Sequence, residues 1–228
     1  MTTPARALIF DMDGTIVDNM DFHTEAWITF FARRGQTIEP DAFFRDTAGR
    51  QGKEILRHYL GEDLSDDDLA TLNHEKEVLY RELYAPHRAT LPGFDAFIEA
   101  GAAQGWKLAV ATSASPGSAS FILDEMDLHR RFDAVVIGTV DVPRGKPHPD
   151  VFLKAADRCG VMPAGCIVFE DAPLGVEAAR RAGMRAVVLT TTLPAEAFAE
   201  FDNVIAIVND FTQLDVQSLL SAPLAQSF

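Results

Sequence analysis

The sequence predicts an α/β fold, in which a doubly wound parallel sheet carries helices on both faces and a small helical domain is inserted after the first strand. Six short runs of apolar, β-forming residues recur along the chain, and amphipathic stretches separate them. The interval 18–87 breaks this alternation, because it contains helical patterns and no strand-like run. Runs that are apolar on both faces are typical of parallel strands buried between helical layers. We therefore expect ligands to bind outside the carboxyl ends of the strands.

The apolar pattern predicts each strand and helix in turn. The predicted strands are 7–10, 108–111, 134–137, 167–169, 186–189 and 204–208. Between the later strands we predict helices at 95–104, 118–127, 149–158, 174–182 and 195–200. Residues beyond about 220 are predicted to form a loose tail.

The helical patterns between the first two strands predict a separate domain. Apolar residues recur there at the spacing of one helix face, as in Phe22, Ala26 and Phe30. Ser65 followed by three aspartates is typical of a helix start, where the helix dipole favours acidic side chains, so these aspartates indicate no calcium site. We assign 18–87 to an inserted helical domain, and 1–17 together with 88–228 to the α/β core.

Composition and charge exclude several classes of protein. The 228 residues include 34 acidic and 20 basic side chains, a net charge of −14. Such a charge repels phosphate backbones, so no nucleic-acid partner is expected. The apolar runs are shorter than the roughly 20 residues that cross a bilayer, and the first residues do not resemble a signal peptide. We expect a cytoplasmic globular protein without a membrane partner, monomeric or at most a weak homodimer.

The strongest chemical signal is the motif DMDGT, residues 11–15, directly after the first predicted strand. Asp11 and Asp13 point the same way if the backbone stays extended, and their carboxylates repel unless a cation lies between them or one is protonated. An oxygen-seeking ion such as Mg²⁺ suits this pair. A calcium-binding EF-hand loop is excluded, since its twelfth position is Phe22 instead of Glu.

Three further polar clusters follow predicted strands. Thr112 and Ser113 follow the second strand, Lys146 lies in a proline-rich loop after the third, and Glu170 with Asp171 follows the fourth. Each cluster alone has an ordinary structural explanation, such as a helix cap or a surface turn. Because the carboxyl ends of parallel strands meet at one edge, we expect all four clusters to converge. Carboxylates with Mg²⁺, hydroxyl donors and a lysine would bind a phosphoryl group, and a carboxylate can attack its phosphorus.

The motifs DMDGT, ATSAS, GKPHPD and FEDAPLGVEAARRAG occur in this order and resemble those of the haloacid dehalogenase superfamily. The resemblance covers essentially the whole chain and is strongest to the subgroup of β-phosphoglucomutases and small sugar-phosphate phosphatases. It implies the Rossmann-like core of that family with a small helical cap. It also implies that Asp11 is the nucleophile and a Mg²⁺ ligand. Asp13 would be the acid and base, with its backbone carbonyl on the metal.

The same resemblance implies roles for the other clusters. Thr112, Ser113 and Lys146 would bind the phosphate, while Asp171 and Glu170 would complete the Mg²⁺ site. The expected substrate is a small phosphorylated metabolite, with Mg²⁺ as the cofactor.

Substrate choice in this family depends on the cap. His23 begins a segment that resembles the H-x-x-A-W of β-phosphoglucomutases, and Lys76 resembles a cap lysine of the same enzymes. The loop 47–53 resembles their specificity loop. Where mutases usually carry an arginine, however, this chain has Gly52, and Arg50 would either substitute for it or face solvent. His23 also has a structural explanation, on the inner face of a cap helix, and Lys76 has one as a solvated helix lysine.

These departures favour a phosphatase over a mutase. Thr15 supports the same conclusion, because the mutases more often have valine at its position. The prediction is a Mg²⁺-dependent phosphomonoesterase that acts on a sugar phosphate or a similar metabolite. Two alternatives stay open: a β-phosphoglucomutase, which shares the first half-reaction, and a non-catalytic receiver-type domain, which has no comparable helical insertion.

Overall fold

The computed structural model describes residues 6–47 and 50–221. Its strands are β1 Ala7–Phe10, β2 Lys107–Thr112, β3 Ala134–Ile137, β4 Cys166–Glu170, β5 Arg185–Leu189 and β6 Val204–Val208. They form a parallel sheet in the order β3-β2-β1-β4-β5-β6. The predicted doubly wound sheet is confirmed, and each predicted strand end lies within one residue of the observed end.

The central strand shows why these runs form a sheet. Leu8 and Phe10 belong to the apolar core on one face of the sheet, while Ala7 and Ile9 belong to the core on the other face. All four are fully buried. Phe10 also stacks on Phe169 of the neighbouring β4, with ring centroids 4.6 Å apart. A strand covered on both faces has no position for a polar residue, so its sequence is a short, uninterrupted apolar run.

Helices occupy the predicted interval between β1 and β2 and cover both faces of the sheet. The first four are α1 Met20–Ala32, α2 Pro40–Thr47, α3 Gly52–Leu60 and α4 Asp66–Tyr84, and we call them the helical insert. The others are α5 Phe94–Ala103, α6 Pro116–Leu123, α7 Gly138–Asp141, α8 Asp150–Cys159, α9 Pro173–Arg181 and α10 Ser218–Ser221. Ser65 Oγ accepts a hydrogen bond of 3.1 Å from Asp68 N, which confirms the predicted helix start. The division into cap and core domains stays a prediction.

Two helix predictions were wrong in detail. The segment predicted as a helix at 195–200 is a short 3₁₀ turn, Ala195–Phe198, because Ala197 N and Ala199 N bond to carbonyls three residues earlier. The helix predicted at 118–127 starts earlier, at Pro116, and ends at Leu123. Asp127 adopts a positive φ of 57° and turns the chain away. Most of the predicted tail lies outside the described residues.

The chain enters and leaves the helical insert at one place beside β1. Val17 forms bridge pairs with Asp13 and with Thr90, and Leu91 N donates to Ile16 O at 2.8 Å. The two connections are therefore paired with each other, next to the first acidic motif. Among the residues described, no helix is long and apolar enough to cross a bilayer.

Candidate active site

A cavity of about 400 Å³ lies between the carboxyl edge of the sheet and the helical insert. The sheet order reverses between β1 and β4, and acidic residues follow both of these strands. This is the topological switch point where sheets of this type bind ligands. Every residue selected from the sequence lines the cavity: Asp11, Asp13, His23, Arg50, Lys76, Thr112, Ser113, Lys146, Glu170 and Asp171.

Three buried carboxylates and one lysine form the centre of this cavity. Asp11, Glu170 and Asp171 offer carboxylate oxygens that all lie within 4.8 Å of one another. Lys146 Nζ lies 2.7 Å from Asp11 Oδ1 and 2.6 Å from Glu170 Oε1. Glu170 Oε2 accepts hydrogen bonds of 3.0 Å from the backbone N–H groups of Asp171 and Ala172. Both oxygens of Glu170 are therefore bound by donors of the protein.

The charges at this centre do not balance, since three carboxylates face one ammonium group. Burial raises the pKa of Asp11 to about 7, although Lys146 acts against it. Burial and the nearby charges of Glu170 and Asp11 raise the pKa of Asp171. Burial alone would lower the pKa of Lys146, but the attraction of Asp11 and Glu170 outweighs it and raises that pKa. A divalent cation would remove the imbalance, and clustered carboxylate oxygens are ligands that Mg²⁺ prefers. The donor set therefore fits Mg²⁺.

We expect Mg²⁺ to raise the unfolding temperature more at pH 8 than at pH 5. Because the pKa of Asp11 is about 7 in the fold against an ordinary 3.8, the metal-free protein retains a proton that the unfolded chain releases, and it loses stability as the pH rises between these values. Protons and Mg²⁺ compete for the same oxygens, so the proton on Asp11 alone should weaken Mg²⁺ binding by about tenfold per pH unit below neutrality. Thermal unfolding with and without Mg²⁺ checks this, and equal shifts at both pH values would contradict it.

Two glycines let the carboxylates approach the backbone closely. At Gly175 in α9, an added Cβ would lie 1.8 Å from Glu170 Oε1 and 1.9 Å from its Cδ. At Gly14, where φ is +71°, an added Cβ would lie 2.1 Å from Asp171 Oδ2. Side chains at these positions would displace the carboxylates, so the glycines of both motifs are required by packing.

Gly175→Ala is expected to displace the Glu170 carboxylate and break its bonds to Lys146 and to the backbone. Each buried polar group left without a partner costs about 1–3 kcal/mol, so the free energy of unfolding should fall by about 3 kcal/mol. Gly117→Ala is the matched control, because that helical glycine has no atom closer than 3.5 Å to the added Cβ. Denaturant titration of both variants measures the difference. Equal stability of the two would refute the packing role of Gly175.

The carboxylate of Asp13 is bound by residues at the start of the helical insert. Asn19 Nδ2 donates to Asp13 Oδ1 and to Tyr80 Oη, at 2.6 Å each, while Asn19 Oδ1 accepts from Gly14 N at 3.1 Å. His23 Nε2 lies 3.6 Å from the same oxygen of Asp13. Burial would raise the pKa of Asp13, but His23 and Asn19 outweigh it and hold that pKa below its ordinary value.

Lys76 is buried, which differs from the solvated helix lysine that the sequence left open. Its ammonium donates to Glu77 Oε1 at 3.0 Å and lies 5.0 Å and 5.4 Å from the ring centroids of Trp27 and Tyr80. Glu77 in turn accepts a hydrogen bond from Ser118 of α6. The charge of Lys76 is thus already paired within the protein.

The contact between Lys76 and His23 fixes the tautomer of the histidine. Lys76 Nζ lies 2.7 Å from His23 Nδ1. An ammonium group can only donate, so Nδ1 must be the acceptor and a neutral His23 carries its proton on Nε2, the nitrogen nearest Asp13.

The hydroxyl cluster at the carboxyl end of β2 offers a donor to the cavity. Thr112 is buried, and its Oγ1 accepts a hydrogen bond of 3.0 Å from Ala114 N, which leaves the hydroxyl hydrogen for another acceptor. Ser113 is half-buried beside it. Ser115 Oγ accepts from Ser118 N at 3.2 Å and caps α6. The helix-cap explanation therefore holds for Ser115, although Ser115 lines the cavity together with Thr112 and Ser113.

The specificity-loop segment is described only in part. Residues 48 and 49 lie outside the described residues, while Arg50 is exposed and lines the cavity. At Gly52, an added Cβ would lie 2.1 Å from Asn73 Oδ1 and 3.6 Å from Trp27 Cζ2. A side chain at this position would require Asn73 to move.

Comparison with known proteins identifies the family. The model of the haloacid dehalogenase-like hydrolases matches residues 5–183. The chain belongs to this family. Protein CbbY of Rhodobacter capsulatus is 34% identical to this hydrolase over 197 residues, covering 81% of this chain and 85% of that protein. Fructose-1-phosphate phosphatase YqaB of Escherichia coli is 35% identical over 184 residues, covering 79% and 94%.

Solved structures show the same fold. CbbY from Rhodobacter sphaeroides, in complex with phosphate, superposes with a TM-score of 0.78 at 26% identity and covers 92% of this hydrolase and 96% of that chain. β-Phosphoglucomutase from Clostridium difficile gives a TM-score of 0.82 at 24% identity, covering 95% and 96%, which shows the shared fold alone. The predicted superfamily is confirmed.

The structure of this hydrolase adds residues that the sequence did not single out. Asn19 binds Asp13, Glu77 pairs with Lys76, and Thr192 donates to Asp171 Oδ2. A signal for Thr192 was present, since three threonines follow the fifth predicted strand and form a further polar cluster at a strand end. Asn19 and Glu77 gave no such signal, because neither follows a predicted strand and their contacts with Tyr80 and Ser118 depend on how the insert packs.

Proposed function

We propose that this hydrolase is a Mg²⁺-dependent phosphatase that acts on a sugar phosphate or a similar small phosphorylated metabolite, as a cytoplasmic monomer. The observation that carries the proposal is the Asp11 carboxylate, placed 2.7 Å from Lys146 and in the same cavity as the Thr112 hydroxyl, with Asp13 as a second carboxylate. The relatives support it: one is named a fructose-1-phosphate phosphatase and another a validoxylamine A 7′-phosphate phosphatase.

In the first half-reaction, the Asp11 carboxylate attacks phosphorus. A bond forms between its oxygen and phosphorus while the bond to the leaving oxygen breaks, and Asp13 gives that oxygen a proton. Lys146, Thr112 and Ser113 bind the phosphoryl oxygens. Mg²⁺ would be held by the carboxylates of Asp11, Asp171 and Glu170 and by the backbone carbonyl of Asp13. When bound, the ion supplies positive charge that lets an anion approach a phosphate dianion.

In the second half-reaction, Asp13 takes a proton from water. The water oxygen bonds to phosphorus, the bond to Asp11 breaks, and inorganic phosphate leaves. The proton that Asp13 takes from water replaces the one that it gave to the leaving oxygen, so protons balance over the cycle. Asn19 and His23 hold its carboxylate in place through both steps.

Asp13→Asn is expected to slow the first half-reaction of a sugar phosphate by about 10³-fold and that of p-nitrophenyl phosphate much less. General acid catalysis contributes roughly 10²–10⁴-fold, but p-nitrophenolate leaves without a proton. Rapid-quench measurement of leaving-group release in a single turnover separates this step from the later one. Equal losses for both substrates would argue against Asp13 as the acid that protonates the leaving group.

The structure offers a specific reason to favour a phosphatase over a β-phosphoglucomutase. Gly52 occupies the position at which the mutases usually carry an arginine. A Cβ added there would lie 2.1 Å from Asn73 Oδ1, so any side chain at this position would require Asn73 to move. The cap lysine, Lys76, is already paired with Glu77. The insert therefore presents Arg50 and amide groups to the cavity in place of an arginine at the mutase position. A receiver-type domain is disfavoured by the helical insert that covers the cavity.

One assay distinguishes a phosphatase from a β-phosphoglucomutase. The protein is incubated with Mg²⁺ and either β-glucose 1-phosphate or a panel of sugar phosphates, with and without glucose 1,6-bisphosphate, and both free phosphate and glucose 6-phosphate are measured. Free phosphate without isomerised sugar is expected. Glucose 6-phosphate without stoichiometric phosphate would make the protein a mutase, and no product from any substrate would refute the proposal.

A further inference from the structure

Three consecutive threonines at the carboxyl end of β5 connect that strand to the first acidic motif. Thr191 Oγ1 donates to the backbone carbonyl of Gly14, and Thr192 Oγ1 donates to Asp171 Oδ2. Thr190 differs, since its hydroxyl contacts Val208 O at 3.3 Å and Asn209 Oδ1 at 2.8 Å. One segment therefore contacts both acidic motifs of the cavity, yet none of its three residues belongs to the predicted site.

Asp171 is bound on both carboxylate oxygens. Thr15 Oγ1 lies 3.4 Å from Asp171 Oδ1, and Thr192 binds Oδ2. Gly14 packs tightly against one side of the Asp171 carboxylate, because a Cβ added at Gly14 would lie 2.1 Å from Asp171 Oδ2 and 2.7 Å from Thr192 Oγ1. Asp171 is 2% exposed and Thr15 is fully buried, so water cannot easily replace these contacts.

From this geometry we infer that Thr192, assisted by Thr15, is a positioning residue that fixes the orientation of the Asp171 carboxylate for a small divalent cation. The inference rests on the proposed Mg²⁺ site and adds a determinant of its ion selectivity. Each carboxylate oxygen has two acceptor positions, and one hydroxyl occupies only one of them. The other position on each oxygen stays free for the centre that Asp11 and Glu170 share with Asp171.

A fixed orientation of the Asp171 carboxylate affects Mg²⁺ binding and Ca²⁺ binding differently. Mg²⁺ demands near-ideal octahedral geometry at short distances, whereas Ca²⁺ accepts variable coordination and longer distances. A carboxylate that two hydroxyls hold in one orientation therefore favours Mg²⁺. A carboxylate that is free to rotate would lose the preference for Mg²⁺, but it would still bind Ca²⁺.

The test is cation binding without substrate. Isothermal titration of the full chain with MgCl₂ or CaCl₂ compares Thr192→Val with Thr192→Ser, which keeps the hydroxyl. Thr190→Val is the matched control, because it removes a neighbouring hydroxyl that contacts neither acidic motif. Loss of an outer hydrogen bond to a metal ligand typically weakens metal binding by about 10–100-fold. We expect Thr192→Val to bind Mg²⁺ at least about tenfold more weakly than the wild type. Its affinity for Ca²⁺ should fall by a smaller factor. Thr192→Ser and Thr190→Val should stay near wild type.

Equal losses for the two cations, or no loss for Mg²⁺, would overturn the inference. If Thr192→Val fails to fold by circular dichroism, Thr15→Val provides the same comparison through the other oxygen of Asp171. The proposed function fails separately: a wild-type protein that binds Mg²⁺ but hydrolyses no phosphate ester would refute the phosphatase and leave the role of Thr192 intact. A wild-type protein that binds no Mg²⁺ would overturn the role of Thr192.

Discussion

Asp11→Asn is expected to lower phosphatase turnover by about 10⁴-fold or more while leaving the fold intact. An amide of the same shape fits the same space, but it is a very poor nucleophile, and removal of an enzyme nucleophile costs on this scale. Phosphate release from a sugar phosphate, with circular dichroism as the folding control, measures the effect. Retained turnover in a folded Asp11→Asn protein would contradict the assignment of the nucleophile.

The same variant has an expected effect on stability. Asp11 is one of three buried carboxylates that share one ammonium group, so a neutral amide removes part of the repulsion. The metal-free Asp11→Asn protein should unfold at a higher temperature than the metal-free wild type at pH 8, and Mg²⁺ should stabilise it less. Lower stability without metal would mean that the ion pair with Lys146 outweighs the repulsion.

Lys146→Met is expected to lower the free energy of unfolding by about 3 kcal/mol at pH 8 and to abolish turnover. Lys146 lies between two buried carboxylates, and removal of one partner from a buried pair leaves uncompensated charge. The cost should shrink at pH 5, because Asp11, with a pKa of about 7, takes up a proton there. Denaturant titration at both pH values measures this.

Lys107→Met is the matched control for that experiment. Lys107 Nζ lies 2.6 Å from Asp133 Oδ1, but its side chain is 49% exposed, and exposed pairs contribute at most about 1 kcal/mol. A Lys146→Met protein as stable as Lys107→Met at both pH values would contradict the charge balance described for the cavity.

The fold could be predicted from the sequence because its signals are local. Strands covered on both faces are short apolar runs, and Leu8 and Phe10 alternate with Ala7 and Ile9 between the two cores. The polar clusters could be selected because each follows a strand, and parallel strands bring their carboxyl ends to one edge. The prediction of a helix at 195–200 was wrong because its apolar spacing does not distinguish a 3₁₀ turn from an α-helix.

The rest of the site depends on contacts between distant segments. Lys76 was predicted only by resemblance, and its burial depends on Trp27 and Tyr80 packing around its ammonium group. Thr192 lies 21 positions from its partner Asp171, and Asn19 reaches Tyr80 across 61 positions. The position of Thr192 after a strand is a local signal, but no periodicity or local motif encodes its pairing with Asp171 or that of Asn19 with Tyr80, so these pairs appear only once the chain is folded.

The most direct test of the central proposal is chemical trapping of phosphorylated Asp11. Asp13→Asn should accumulate the intermediate from p-nitrophenyl phosphate with Mg²⁺, because activation of water is lost while the leaving group needs no acid. Acid quench and borohydride reduction convert an aspartyl phosphate to homoserine, which peptide mass spectrometry locates. We expect homoserine at position 11, absent without substrate. Release of p-nitrophenol with an unmodified position 11, or with modification at another carboxylate, would contradict the proposed mechanism.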